Sequence, residues 1–345
     1  MKSPLNQVEE PLLNVDNLSV EIPLRRGILK PVDGVSFQIN AGEIVGVVGE
    51  SGAGKSITGA AIIGLLERPA HIANGRVSLR GQRIDNISMT QLRKVRGGQI
   101  GTIFQDPLTS LNPLQQIGDQ LAETALAHLP VTRSEARARA LSALEDVGIP
   151  GAAKRLKAYP HEFSGGMRQR VVIALALIAE PTLVIADEPT TALDVSVQAQ
   201  ILMLLKDLCT QRGMGVMLIT HDMGVIAETT DKVVVLYAGR VAEIGHTQQV
   251  MQAPMHPYTH GLMGATPSAT RAHGERLQQI PGSMPGLQNS PPGCAFAARC
   301  EHVMAGCTQV RPPLVANQQH QVACYLHDSE VAHERPWQSV KGMTK

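Results

Sequence analysis

Aromatic side chains are scarce in this chain: they make up 3% of its 345 residues, with one Trp, four Tyr and four Phe. That scarcity argues against a platform on which successive bases stack. Charge of one sign is lacking as well. The formal net charge at pH 7 is +1, so no basic field is aimed at a phosphate backbone, and no nucleic-acid partner is expected. Long hydrophobic runs are missing too. The longest reaches from Val171 to Ala179, whereas a membrane span needs about 20 apolar residues; the chain is not expected to cross a bilayer alone. The opening MKSPLNQVEEP has no apolar signal-peptide region, and no internal repeat is visible. Five cysteines in a chain of this length are no secreted disulfide framework, yet four of them crowd between Cys294 and Cys324. What remains, 43% hydrophobic and 18% charged, is an ordinary globular balance with room for two or three domains.

Against that background EIVGVVGESGAGKS stands out. Gly49, Gly54, Lys55 and Ser56 fit G-x-x-x-x-G-K-[ST]. A β-rich run, Glu43 to Val48, precedes the loop, and SITGAAIIGLLE follows with helical periodicity. In such a loop the backbone N–H groups of Gly49, Glu50, Ser51, Gly52, Ala53 and Gly54 curl round phosphate oxygens. Lys55 would reach the β- and γ-phosphates, and the Ser56 hydroxyl would ligate Mg²⁺. A bare tight turn with a solvated lysine explains less of this pattern.

A loop of this kind calls for acid on a neighbouring strand. LVIADE supplies it: four apolar residues make a buried parallel strand, and Asp187 emerges at its C-terminal end, where ligands sit in open α/β sheets. Asp187 would hold the Mg²⁺ shell, and Glu188 would orient or polarise an attacking water. A third apolar strand, GVMLIT, ends at His221, within reach of a γ-phosphate. The stretch HEFSGGMRQR poses a separate question. Glycine costs about 0.8–1 kcal/mol relative to alanine inside a helix, yet the apolar helix VVIALALIAE is entered through Ser164, Gly165 and Gly166. Bare N–H groups at a helix N-terminus bind anions, which gives such an entrance a use.

The composition divides the chain. Residues 11–106 read as a β-rich subdomain and the first part of a nucleotide-binding core. Residues 107–163, rich in Ala, Leu, Arg and Glu at helical spacing, read as an inserted helical subdomain. Residues 164–252 complete the core, ending in a strand pair that turns at Ala238–Gly239. Residues 253–330 form a C-terminal extension, loop-rich up to residue 293, and 331–345 form a polar tail.

The order of these motifs, with FQDP at Phe104–Pro107, FSGGM at Phe163–Met167, LVIADEPTTALD and THD, resembles the ATP-binding subunits of ABC transporters over roughly residues 11–250. The resemblance implies an α/β P-loop NTPase with an N-terminal antiparallel β-subdomain, an inserted α-helical subdomain and a small Cys-rich C-terminal extension. It implies that Ser164, Gly165 and Gly166 face ATP held by a second ATPase subunit. Asp194 would lie in the loop crossing that interface. Gln105 would sense Mg²⁺ and the attacking water and couple them to membrane subunits, and His221 would be the γ-phosphate switch. YPHEFSGGMRQRVVIALAL, MHPYTHGLM and the late cysteines narrow the resemblance to the dipeptide/oligopeptide/nickel importer branch. That branch implies two membrane-spanning permease subunits, a second ATPase subunit (a paralogue or a second copy), an extracytoplasmic solute-binding protein acting indirectly, and a place on the cytoplasmic face of the inner membrane. One departure concerns adenine, which the family often stacks on an early aromatic. No Phe, Tyr or Trp precedes Phe37; Ile22 and Pro23 stand there instead, which leaves GTP open as a substrate.

Cys294, Cys300, Cys307 and Cys324 give C-x5-C-x6-C-x16-C, unlike the paired C-x2-C of zinc ribbons. A cytosolic setting disfavours disulfides, and four thiolates suit zinc or an iron–sulfur cluster equally. The resemblance favours a [4Fe–4S] cluster, stapling a segment with few large apolar residues of its own. Cys209, on an apolar helix, reads as a small core residue. Two other function classes fit less well. A soluble ABC-type ATPase of repair or translation is opposed by the low basic and aromatic content and the single cassette. A non-hydrolysing scaffold is opposed by Glu188 and His221.

Overall fold

The computed structural model describes residues 10–265 and 279–328, apart from positions 192 and 318. The tail expected at 331–345 lies outside the described residues.

Two sheets carry the chain. The strands are β1 (Leu13–Leu24), β2 (Gly27–Ile39), β3 (Ile44–Val48), β4 (His71–Leu79), β5 (Gln82–Arg83), β6 (Ile100–Ile103), β7 (Leu183–Asp187), β8 (Gly215–Thr220), β9 (Lys232–Tyr237), β10 (Arg240–His246), β11 (Val315–Asn317) and β12 (His320–Val322). The first sheet is antiparallel, in the order β2-β1-β4-β5, and the second has eight strands in the order β11-β12-β10-β9-β3-β8-β7-β6. From β9 to β6 the neighbours run parallel. Such strands are covered on both faces, so they read as continuous apolar runs; all five residues of β3 are buried. Their side chains divide by alternation. Val184, Ala186, Val216 and Leu218 face the helical core, whereas Leu183, Ile185, Met217 and Ile219 face a second core shared with the antiparallel sheet.

The helices are α1 (Lys55–Ile62), α2 (Met89–Val95), α3 (Pro107–Ser110), α4 (Ile117–His128), α5 (Arg133–Asp146), α6 (Ala152–Arg155), α7 (Gly165–Leu177), α8 (Val195–Arg212), α9 (Met223–Thr229), α10 (Thr247–Gln252) and α11 (Pro257–Ala265). Local signals set several ends. At α5 the Thr132 hydroxyl accepts from the Glu135 N–H, and the Glu135 carboxylate accepts from the Thr132 N–H in return. Ser164 caps α7 by accepting from Met167 N at 3.4 Å. The β9–β10 turn at Ala238 (φ 48°) and Gly239 (φ 78°) takes two left-handed residues, the backbone twist a two-residue hairpin requires.

The C-terminal part differs from the sequence-based expectation in two respects. The stretch from 253, expected to be loop-rich, contains α11, and its Tyr258 is fully buried. The extension is not a separate small core awaiting a staple. Strand β12 pairs with β10, Glu243 opposite Val322 and Ile244 opposite Gln321, and so prolongs the main sheet. Val303, Val310 and Leu314 are exposed, whereas Phe296 is buried in a cluster with Tyr237 and Tyr258. The apolar surface that anchors the segment belongs to the nucleotide core, a supply that local composition does not reveal.

Candidate functional site

The loop Gly49–Gly54 joins the C-terminal end of β3 to the start of α1. At Gly49 and Gly54 the backbone leaves no room for a side chain: a Cβ on Gly49 would stand 2.2 Å from the Leu236 carbonyl oxygen, and one on Gly54 (φ 99°) 2.3 Å from that of Pro31. Gly54 also takes the left-handed conformation that costs other residues strain. Lys55, only 7% exposed, donates to the carbonyls of Gly49 at 2.7 Å and Glu50 at 3.0 Å. Burial pushes its pKa below the ordinary value, against the pull of Glu188, Asp187 and Glu50. The ammonium thus stands desolvated beside a backbone cradle, an arrangement suited to a polyanion.

The strand ends bring the acidic residues to the same place. Ser56 Oγ donates to Asp187 Oδ1 at 3.1 Å. Burial raises the Asp187 pKa, against that hydrogen bond. A hydroxyl and a carboxylate held side by side are hard-oxygen donors of the kind Mg²⁺ takes. Glu188 follows at φ 47°, its N–H donating to the Ile219 carbonyl at 2.9 Å. Three side chains converge on its carboxylate. His221 Nδ1 lies 3.1 Å from Oε1, while Gln105 Nε2 and Thr191 Oγ1 donate to Oε2 at 3.2 and 2.9 Å. Burial alone would raise the Glu188 pKa, but the His221 and Thr191 hydrogen bonds outweigh it and hold the group below its usual range. Gln105, Glu188 and His221 therefore meet, from three different strand ends.

The remaining expected residues lie apart from this group. Ser164, Gly165 and Gly166 open α7 against α8: a Cβ on Gly166 would come within 2.7 Å of Val197 Cγ1. Ser164, Gly165 and Asp194 are exposed, and Asp194 N-caps α8 without a side-chain cap bond. Ile22 and Pro23 sit at the outer end of β1, opposite Leu29 and Ile28.

Sequence reasoning missed what covers the outer arm of the loop. Glu50 was expected to offer its N–H to phosphate, but that N–H donates to the Tyr258 hydroxyl at 2.8 Å. The Glu50 carboxylate pairs with Arg299, whose Nη1 donates to both oxygens at 3.0 Å. Thr191, a neighbour of the LVIADE strand, was also missed. Tyr258 and Arg299 lie 208 and 249 residues from their partner, and no local pattern signals such a contact.

The four late cysteines line one cavity with His256, His302 and Phe296, and its free volume is about 10 Å³, room for about one water. Burial pushes the Cys294 thiol up to about 11 and the Cys324 thiol up to about 12, and raises Cys300, with neighbouring cysteines adding to each. Among the described residues no group of three or more His, Cys, Asp or Glu side chains is gathered closely enough to hold a metal ion. The expected iron–sulfur or zinc centre at Cys294, Cys300, Cys307 and Cys324 thus finds no support in the geometry: the donors share a cavity without converging on a point. Cys209 is a core residue as expected, buried, with its thiol donating to the Met214 carbonyl at 2.8 Å.

The acid-ended strand expected beside the loop's own is one place further along the sheet, since β8 lies between β3 and β7. A glycine cradle with a buried lysine, an acid-ended strand in the same sheet and a run of helices leading to Ser-Gly-Gly define an ATP-binding cassette. Solved cassettes agree. The dimeric post-hydrolysis structure of the cassette MJ0796 bound to ADP and Pi superposes with a TM-score of 0.61 at 28% identity, covering 68% of this chain and 98% of that one. CbiO1 of Clostridium perfringens, part of the transporter complex cbiONQ, gives 0.62 over 71% of this chain and 92% of that one. Residues 32–191 match the ABC transporter family model, and residues 242–307 match that of the oligopeptide/dipeptide transporter C-terminal region. The dipeptide transport ATP-binding protein DppD of Bacillus subtilis is 47% identical over 94% of this chain and 97% of its own length. The oligopeptide transport ATP-binding protein OppD of the same organism is 43% identical over 96% and 93%. The chain belongs to the ABC transporter ATP-binding subunits, in their oligopeptide/dipeptide branch. Among the described residues no helix is long and apolar enough to cross a membrane.

Proposed function

We propose that this chain hydrolyses ATP to drive import of dipeptides, oligopeptides or a related small solute through two membrane-spanning permease subunits. The observation that carries the reading is the joint match, in one chain, of the cassette at 32–191 and the oligopeptide/dipeptide region at 242–307. Relatives named for peptide import, matched over nearly their whole length, support the same reading over a soluble repair or translation factor. The chain would act from the cytoplasmic face of the membrane, paired with a second ATPase subunit, and a solute-binding protein would deliver the cargo. Phe104, Leu108 and Leu114, exposed around Gln105, supply apolar surface for a permease segment.

Within the site, the loop N–H groups other than that of Glu50, held by Tyr258, would bind the phosphates with Lys55, and Ser56, Asp187 and Gln105 would hold Mg²⁺. The ion supplies charge neutralisation across the β- and γ-phosphates. Glu188, ionised and aimed by Gln105, Thr191 and His221, accepts a proton from water and orients it; His221 also senses the γ-phosphate. Positioning and electrostatics account for most phosphoryl-transfer catalysis, and the converging hydrogen bonds at Glu188 fit that demand. Ser164, Gly165 and Asp194, all exposed, with the half-buried Gly166 beside them, suit contact with the other subunit's nucleotide. The division at 107–163 and 253–330 into helical subdomain and C-terminal extension belongs to the same reading. A [4Fe–4S] cluster at the four cysteines rests on the donor set alone, since the cavity would have to open to admit it.

The deciding experiment is co-expression and co-purification with candidate permease subunits, followed by ATP hydrolysis in vesicles. Hydrolysis stimulated by a solute-binding protein loaded with peptide is expected; a chain that purifies alone, with hydrolysis indifferent to permeases, would overturn the assignment.

A further inference from the structure

The C-terminal extension reaches the nucleotide site through one side chain. Arg299 closes the short turn Ala297–Arg299, between Cys294 and Cys300. Its Nε donates to the Pro281 carbonyl at 2.8 Å, its Nη2 to the Ile280 carbonyl at 3.3 Å, and its Nη1 to both Glu50 oxygens and the Tyr237 hydroxyl. The guanidinium lies 5.8 Å from the ring centroids of Tyr237 and Phe296, and the side chain is 6% exposed. Two backbone carbonyls and two rings fix it, so it cannot swing to solvent. Beside it, the Tyr258 hydroxyl holds the Glu50 N–H, and Met284 lies against Gly52.

Glu50 makes this fixity consequential. It puts a carboxylate on a loop whose task is to bind a triphosphate, and like charges at that range repel. We propose that Arg299 is a positioning residue for ATP: it cancels the Glu50 charge and pins the outer arm of the phosphate loop, so nucleotide affinity depends on the C-terminal extension. The proposal rests on the nucleotide-site reading above and adds a residue to it.

The test is ATP binding to the full-length chain, followed with a fluorescent ATP analogue, with hydrolysis measured alongside. Arg299→Ala is expected to weaken binding about ten-fold at low salt, with a smaller deficit at high salt. It should raise KM while leaving kcat within about two-fold, the mark of lost ground-state binding. Arg299→Lys should recover part of the loss, as a point charge lacking the fork. The double variant Arg299→Ala with Glu50→Gln should recover most of it, and Glu50→Gln alone should bind ATP more tightly than the parent. The last arm stands even where Arg299→Ala fails to fold. Weaker binding by Glu50→Gln, no rescue in the double variant, or parental affinity in Arg299→Ala would each overturn the proposal. Lys55→Ala is the control: if it keeps parental affinity, the nucleotide site itself is misplaced, a failure distinct from this one.

Discussion

Glu188 occupies the left-handed region at φ 47°, where a residue with a Cβ stays only if its surroundings hold it. The hold comes from its backbone bond to Ile219 and three side-chain partners. Replacing it by glutamine keeps the shape and removes the base. Turnover should fall by about 10²-fold or more, the usual worth of a general base, while ATP binding and ATP-dependent dimerisation persist; near-normal phosphate release by Glu188→Gln would show the base to be elsewhere. The pH dependence follows from the direction of its shift. A carboxyl held below its ordinary 4.5 is ionised at neutrality. The bonds that hold it stabilise the folded chain there and are lost as pH falls through the lowered value. The acid limb of kcat/KM, which reports the free enzyme, should therefore lie below pH 4.5, in a pH–rate profile of the parent; a limb near neutrality that Glu188→Gln abolishes would contradict this. At this scale much was legible. Gly49, Lys55, Ser56, Asp187 and Glu188 announce themselves because their spacing along the chain is their chemistry. Tyr258 and Arg299 do not, because each is a single residue whose meaning lies in a partner two hundred or more positions away.

At the scale of elements, the buried strands β3, β7 and β8 were readable as apolar runs, and the capped helices α5 and α7 as periodic ones. Strand β12 is three residues long, and α11 begins at a proline and contains two glycines. Neither carries enough periodicity to be seen, and both exist because the core beside them supplies the burial. Their junction is Glu243, wholly buried. It accepts from the N–H groups of Met255 and His256 at 2.8 and 2.9 Å and pairs with His320 Nε2 at 2.6 Å. Glu243→Ala orphans the buried His256 N–H, at about 1–3 kcal/mol, and the half-buried Met255 N–H at less. It should lower the melting temperature and open the chain after residue 253 to protease first; unchanged cleavage would mean that the extension is held otherwise. The cysteine turns allow a parallel measurement. Anaerobic purification tests them: brown protein with about four irons per chain would mark a cubane, and Cys300→Ser should then lose the colour while retaining ATP binding through Lys55. Colourless, iron-free anaerobic protein would remove the cluster.

For the whole molecule, the proposed role of the Ser-Gly-Gly turn, in a site completed by another subunit, is open to direct test. Gly165→Asp would set a negative side chain against the partner's γ-phosphate. The variant chain should still bind ATP when monomeric, and it should fail only in assembly. If two copies of this chain pair, mixing Gly165→Asp with Lys55→Ala places both lesions in one composite site and leaves the other whole. Such mixtures should regain hydrolysis that neither variant shows alone; loss of ATP binding by monomeric Gly165→Asp would refute action across the interface. The contact between Glu50 and Arg299 also has a consequence in time. A ribosome adds about 5–20 residues per second, and 249 residues separate the two partners. The phosphate loop, among the first parts of the cassette to emerge, waits roughly 12–50 s for the arginine that fastens it. A nascent or truncated chain thus carries the nucleotide motif before it carries the means to neutralise it.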